Sequence, residues 1–72
     1  MLAEPHFRKV AFLGIGLIGS SLARVIREKG LADEIVAYSR TDGTRERAVA
    51  LGVVDSAEAD PGDAVDGADL VV

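Results

Sequence analysis

Cysteine is absent from this 72-residue chain, and histidine occurs once. The first absence excludes a disulfide framework and a thiolate metal site. The second, with no clustered partner, argues against a histidine metal centre. No apolar run approaches the roughly 20 residues that span a bilayer. Met1 to His6 lack the basic-then-apolar plan of a secretory signal, so the cytoplasm is the expected compartment, with no membrane partner. Lysine and arginine are missing beyond Arg47, and from Asp55 to Asp69 every charge is acidic: Asp55, Glu58, Asp60, Asp63, Asp66 and Asp69. With a net charge of −4 the chain is a poor nucleic-acid binder. Its acidic segment reads either as a partner surface or as a solvated loop and helix face, the ordinary fate of such runs.

What is present is a globular composition, 49% hydrophobic and 28% charged, which excludes a disordered or collagen-like chain. The length allows at most one small domain, burying only about 60% of its unfolded surface. The most informative stretch is Phe12-Leu13-Gly14-Ile15-Gly16-Leu17-Ile18-Gly19, a G-x-G-x-x-G turn between an apolar run and a helical pattern. In that context it is the phosphate-binding turn of a dinucleotide fold. Gly14 allows a tight turn, Gly16 lets backbone approach a pyrophosphate, and Gly19 lets the helix lie close to the sheet. The helix start offers free N–H groups and a positive dipole end to an anion. Gly14, Ile15, Gly16, Leu17, Ile18 and Gly19 are therefore the expected pyrophosphate-binding residues. Ser20 and Ser21 either bond a phosphate oxygen or cap N–H groups.

The rest of the chain alternates strands and helices. Met1 to His6 form a leader, and Phe7 to Leu13 a strand buried on both faces. A helix is predicted from Leu17 to Lys29, with Ile18, Leu22, Val25 and Ile26 facing the sheet and Arg24, Arg27 and Glu28 facing water. Gly30 is a left-handed stop, with Leu31 making the accompanying apolar contact. A second strand spans Ile35 to Ser39. A short helix follows from Arg45 to Leu51, capped by Asp42 or Thr44 and ended by Gly52. Val53 and Val54 read as a third strand. Asp60-Pro61-Gly62-Asp63 starts another helix, and Leu70 to Val72 begin a fourth strand. This is the first half of a doubly wound α/β fold: a partial Rossmann domain with a mostly parallel sheet in the order 3-2-1, a fourth strand due beside the first. With the fourth strand cut short, the first is expected to keep one weakly covered edge, and the chain reads as the N-terminal fragment of a longer protein.

In NAD-binding domains of this type, an acidic residue about 20 positions past the glycines bonds the ribose 2′-hydroxyl. Here that region is Tyr38-Ser39-Arg40-Thr41, with no carboxylate before Asp42. Ser39 and Thr41 can donate hydrogen bonds to a 2′-phosphate, and Arg40 a charged fork. The expected cofactor is therefore NADP, with NAD possible; the competing reading makes Arg40 a surface charge balancing Asp42 and Glu46. Tyr38 either packs in its strand or touches the adenine. His6 precedes the first strand, whereas ligands of such sheets sit at the carboxyl ends, so it is not expected to be catalytic.

The glycine turn with Leu17-Ile18-Gly19-Ser20-Ser21-Leu22, the pair Gly30-Leu31, Ala48-x-x-Leu51-Gly52-Val53-Val54-Asp55 and the closing Ala64-Val65-x-x-Ala68-Asp69-Leu70-Val71-Val72 resemble one family closely. From about Lys9 to Val72 the chain resembles the N-terminus of the prephenate/arogenate (cyclohexadienyl) dehydrogenases of tyrosine biosynthesis. Many members carry Asp where this chain has Ser39, a departure that bears on NAD use. The resemblance implies a parent enzyme that oxidatively decarboxylates prephenate or arogenate. It also implies that the catalytic histidine, the substrate-binding residues and a helical dimerisation domain lie beyond the fourth strand, so that no catalytic residue is present and the 72 residues alone are inactive. The alternatives are another NADP oxidoreductase acting on hydroxy acids or imines, and a non-catalytic cofactor-binding module.

Overall fold

The computed structural model describes the backbone of residues 6–72 and their side chains apart from those of Leu17 and Ile18. Its elements run β1 (Phe7–Phe12), α1 (Leu17–Glu28), β2 (Ala32–Tyr38), α2 (Asp42–Ala50), β3 (Ser56–Glu58), α3 (Pro61–Val65) and β4 (Leu70–Val71). All four strands are parallel in one sheet ordered β3-β2-β1-β4, the α/β Rossmann-like arrangement expected from the sequence. Residues Met1 to Pro5 of the expected leader lie outside the described region.

Side-chain alternation along the central strands divides the core into two faces. Val10 and Phe12 of β1 and Ile35 and Ala37 of β2 form one buried cluster with Ala23 and Ile26 of α1, Ala48 of α2, and Val53 and Val54. Ala11 and Val36 point the other way, towards α3, whose Ala64 is fully buried. Burying each larger apolar side chain of this set contributes about 1.5–3 kcal/mol. The near-continuous apolar run Val10 to Phe12 is what a strand covered on both sides requires.

Both long helices stop in the same way. Gly30 takes φ +62° and Gly52 φ +72°, a region open to glycine. At the first stop the N–H groups of Gly30 and Leu31 donate to Arg27 and Ile26; at the second, those of Gly52 and Val53 donate to Val49 and Ala48. Each pair satisfies two orphan carbonyls and turns the next apolar residue, Leu31 or Val53, back onto the core. The third helix starts as Asp60-Pro61 predicts: the Asp60 carboxylate accepts from the Gly62 N–H at 2.7 Å, with Pro61 in the first turn.

The structure corrects four expectations. On α1, Ala23 and Ile26 are buried, but Leu22 and Val25 are 39% and 43% exposed, and the Ile18 side chain lies outside the described set. Ile26 faces the sheet as expected, but the rest of the contact is made by small residues: Gly19 and Ala23 share its face, and Gly19 sits nearest the turn. Second, α2 begins at Asp42 behind Thr41, which supplies no side-chain cap. Third, β3 is Ser56–Glu58 rather than Val53-Val54. The two valines plug the core after the Gly52 stop. Asp55 then fixes the strand's entry: its N–H donates to the Ile35 carbonyl and its carboxylate accepts from the Ile35 N–H, both at 2.8 Å. Fourth, the second edge of β1 is covered. Beyond the paired Val10–Leu70 and Ala11–Val71, hydrogen bonds from Asp69 to Lys9, Val72 to Ala11 and Leu13 to Val72 continue the ladder along β1.

Several of the acidic residues thus serve the fold. Asp55 also pairs with Arg27 at 3.2 Å, and Asp69 accepts from the Arg8 N–H at 2.6 Å. Asp55→Ala leaves the part-buried Ile35 N–H without its partner, which costs about 1–3 kcal/mol. The expected result in thermal denaturation is a clearly lowered Tm. An unchanged Tm would show that this bond contributes nothing.

Candidate functional site

At the carboxyl end of β1 the chain turns through Leu13 to Gly16 and enters α1 with Gly16 at the N-cap. Gly16 is extended (φ −72°, ψ −164°), and no side chain caps the helix. The first intrahelical bond runs from the Ser20 N–H to the Gly16 carbonyl. The N–H groups of Leu17, Ile18 and Gly19 therefore point out of the helix head without an intrahelical acceptor.

The three glycines of the turn differ in what they face. A Cβ on Gly19 would lie 3.0 Å from the Gly14 carbonyl oxygen and close to the Ile15 and Phe12 side chains. Gly19 is thus closely packed against the turn, and a Cβ there would press on backbone. Among the described residues a Cβ on Gly14 or Gly16 would meet nothing within 4 Å, and neither has a positive φ. The tight-turn role expected of Gly14 is therefore not a backbone demand of this conformation. In the Cβ direction of both glycines the described residues leave open space beside the N-terminal end of α1.

The second part of the site lies one strand over. Phe12 pairs with Ala37, so the glycine turn leaves β1 alongside the point where β2 gives way to Ser39, Arg40 and Thr41. In that loop the Ser39 hydroxyl accepts from the Thr41 N–H at 3.2 Å, which leaves its own proton free to donate. The Ser39 N–H donates to the Glu58 carbonyl. Arg40 is exposed and forms no ion pair among the described residues; Asp42, one of the two counter-charges of the competing reading, is paired with Arg45. Ile15 and Ser20 on one side and Thr44, Arg47, Ala48, Leu51 and Val53 on the other line a crevice of about 70 Å³ that runs from the glycine turn along α2 to its C-cap. Thr44 thus lies in this crevice rather than at the helix cap.

The remaining polar candidates are placed elsewhere or serve structure. His6 sits at the opposite, amino end of the sheet, its Nε2 2.8 Å from the Asp33 carboxylate. Tyr38 is half-buried as the last residue of β2. Arg45 was not singled out from the sequence, yet it is the side chain that organises the loop: one guanidinium nitrogen donates to the Ser39 carbonyl at 2.5 Å and another bonds the Asp42 carboxylate. The three-residue spacing of Asp42 and Arg45 on a helix was the available signal.

Residues 9–72 match the family described as NADP oxidoreductase, coenzyme F420-dependent. The chain belongs to this family. Within it, the resemblance to the dinucleotide-binding portion of the prephenate/arogenate dehydrogenases holds. The chain is 39% identical over 66 residues to a cyclohexadienyl dehydrogenase of Zymomonas mobilis, a match covering 92% of this chain and 22% of that protein. It superposes on the prephenate dehydrogenase of A. aeolicus, solved in complex with hydroxyphenyl propionate and NAD+, with a TM-score of 0.80 and 28% identity. That superposition covers 89% of this chain and 23% of the other. The chain thus spans less than a quarter of the length of either relative.

Proposed function

We propose that this chain is the NADP-binding N-terminal portion of a dehydrogenase that oxidatively decarboxylates prephenate or arogenate. The observation that carries the reading is the space around Gly14 and Gly16. Among the described residues these two glycines serve neither packing nor a left-handed backbone, and they flank three N–H groups that have no acceptor within the helix. Backbone that bare is suited to a pyrophosphate, which needs close approach and donors rather than side chains. Gly14, Ile15, Gly16, Leu17, Ile18 and Gly19 hold the pyrophosphate. Ser39, Arg40 and Thr41 hold the adenosine ribose, and their donors favour a 2′-phosphate over a bare hydroxyl.

When bound, the nicotinamide of such a cofactor accepts a hydride, here from the ring carbon bearing the hydroxyl, while loss of CO2 restores aromaticity. This chain's part is to fix the adenosine half of the cofactor at the end of β1. The groups that act on the substrate, and a helical domain through which the parent forms a homodimer, belong to the remainder of the enzyme; the 72 residues alone turn over no substrate. The size of the relatives supports this division, since each is more than four times the matched length. NAD is the alternative cofactor, favoured by the NAD+ of the A. aeolicus complex. A second reading keeps the fold and changes the substrate: the family description extends to other NADP oxidoreductases.

Titration of the natural full-length polypeptide with NADP tests the reading. The amide signals of residues 14–19 and 39–41 are expected to shift, and prephenate or arogenate to be turned over. Signals that stay in place would overturn the cofactor site. Shifts without turnover of either compound would favour the second reading.

A further inference from the structure

The loop proposed to read the ribose is held by a side chain whose guanidinium is already bonded within the loop. Arg45 is only 19% exposed, and its guanidinium is committed on two sides, to the Ser39 carbonyl and to the Asp42 carboxylate. Asp42 is 82% exposed, three residues past Ser39 and two past Arg40. A free carboxylate at that place would repel a phosphate dianion and compete for Arg40. Building on the NADP reading above, we propose that Arg45 is a positioning residue for cofactor discrimination. It silences Asp42 and pins the carbonyl of Ser39, so that the Ser39 hydroxyl and the Arg40 guanidinium are both presented to a 2′-phosphate.

The charges support this division of labour. With Asp42 and Arg45 neutralising each other, Arg40 is the cation of the loop that forms no ion pair among the described residues. The bond from the Thr41 N–H to the Ser39 hydroxyl sets the direction of that hydroxyl, and the Arg45 bond to the Ser39 carbonyl holds the same residue from its other end. Two tethers on one residue leave little rotational freedom, so a donor geometry suited to phosphate exists before binding.

The test compares dissociation constants for NADP and NAD on the natural full-length polypeptide and its variants. Arg45→Ala is expected to weaken NADP about tenfold or more, the equivalent of one charge-assisted hydrogen bond, and to leave NAD within about twofold. Adding Asp42→Asn to that variant is expected to recover part of the NADP affinity, because the unmasked carboxylate is then gone. A merely structural Arg45 would weaken both nucleotides alike; equal losses, or an unchanged ratio, would overturn the proposal. Should Arg45→Ala fail to fold, Arg45→Lys decides: lysine lacks the planar fork whose two separate nitrogens reach the Ser39 carbonyl and the Asp42 carboxylate, so the NADP preference falls while NAD binding persists, and a preserved preference overturns the role. Wild-type protein that binds neither nucleotide overturns the cofactor reading and this inference together. Wild-type preference for NADP with no response in the variants overturns this inference alone.

Discussion

Gly16→Val is expected to abolish nucleotide binding and leave the fold intact. The contrast with Gly19→Val gives the experiment its force. Gly16 has an extended backbone that any residue adopts, and its Cβ direction is empty. Stability should therefore fall by no more than about 1 kcal/mol, the cost of placing a poor capping residue at the helix N-cap. A valine there would fill the space proposed for the pyrophosphate and keep the anion from the amides of Leu17 to Gly19. Losing two or more charge-assisted hydrogen bonds lowers affinity by about a hundredfold or more. At Gly19 the added carbon lies 3.0 Å from backbone oxygen, which cannot rotate away, so the turn and α1 must move apart. That substitution is expected to cost about 1–3 kcal/mol in stability as well as binding. Thermal denaturation and calorimetric titration, run on both variants, separate the two roles. A Gly16→Val protein that still binds NADP would refute the pyrophosphate assignment.

The second large effect concerns cofactor choice. Ser39→Asp combined with Arg40→Ala removes a neutral and a charged donor and puts a carboxylate where a 2′-phosphate would sit. Each hydrogen bond to a charged group is worth roughly 1.5–3 kcal/mol. The ratio of kcat/KM for NADP over NAD should accordingly fall by about a hundredfold or more in the full-length enzyme. The exposure of Arg40, and its lack of an ion pair among the described residues, make it available for this work. An unchanged ratio would show that residues 39 and 40 do not read the ribose.

Much of the architecture could be read from local signals, and each exception has a physical reason. Gly30 and Gly52 mark helix stops because no other residue takes their positive φ so cheaply. Asp60-Pro61 marks a helix start because cap and fixed φ act within three residues. The strand order followed from handedness and alternation. On the inward face of α1, Ile26 is legible from apolar periodicity, whereas Leu22 and Val25 turn outward. Gly19 and Ala23, where the helix lies nearest its neighbours, are not legible, because periodicity gives no weight to glycine or alanine. Val53 and Val54 looked like a strand because two buried β-branched residues have that pattern whether they pair or plug. Within the candidate site, the glycine turn and residues 39–41 were legible from spacing. The clamp by Arg45 was not, because a carbonyl acceptor leaves no trace in residue type.

The order β3-β2-β1-β4 has one more consequence. The first two connections step outward across one side of the sheet, while the third returns behind the other side to land next to where the chain began. Between β1 and β4 the winding reverses from one side of the sheet to the other, which makes this seam the switch point of the topology, where open α/β sheets form a notch outside the carboxyl ends of their strands. Its location is dictated by the winding of the backbone, before any residue is chosen to occupy it. Amino-acid identity then settles only which guest that notch admits.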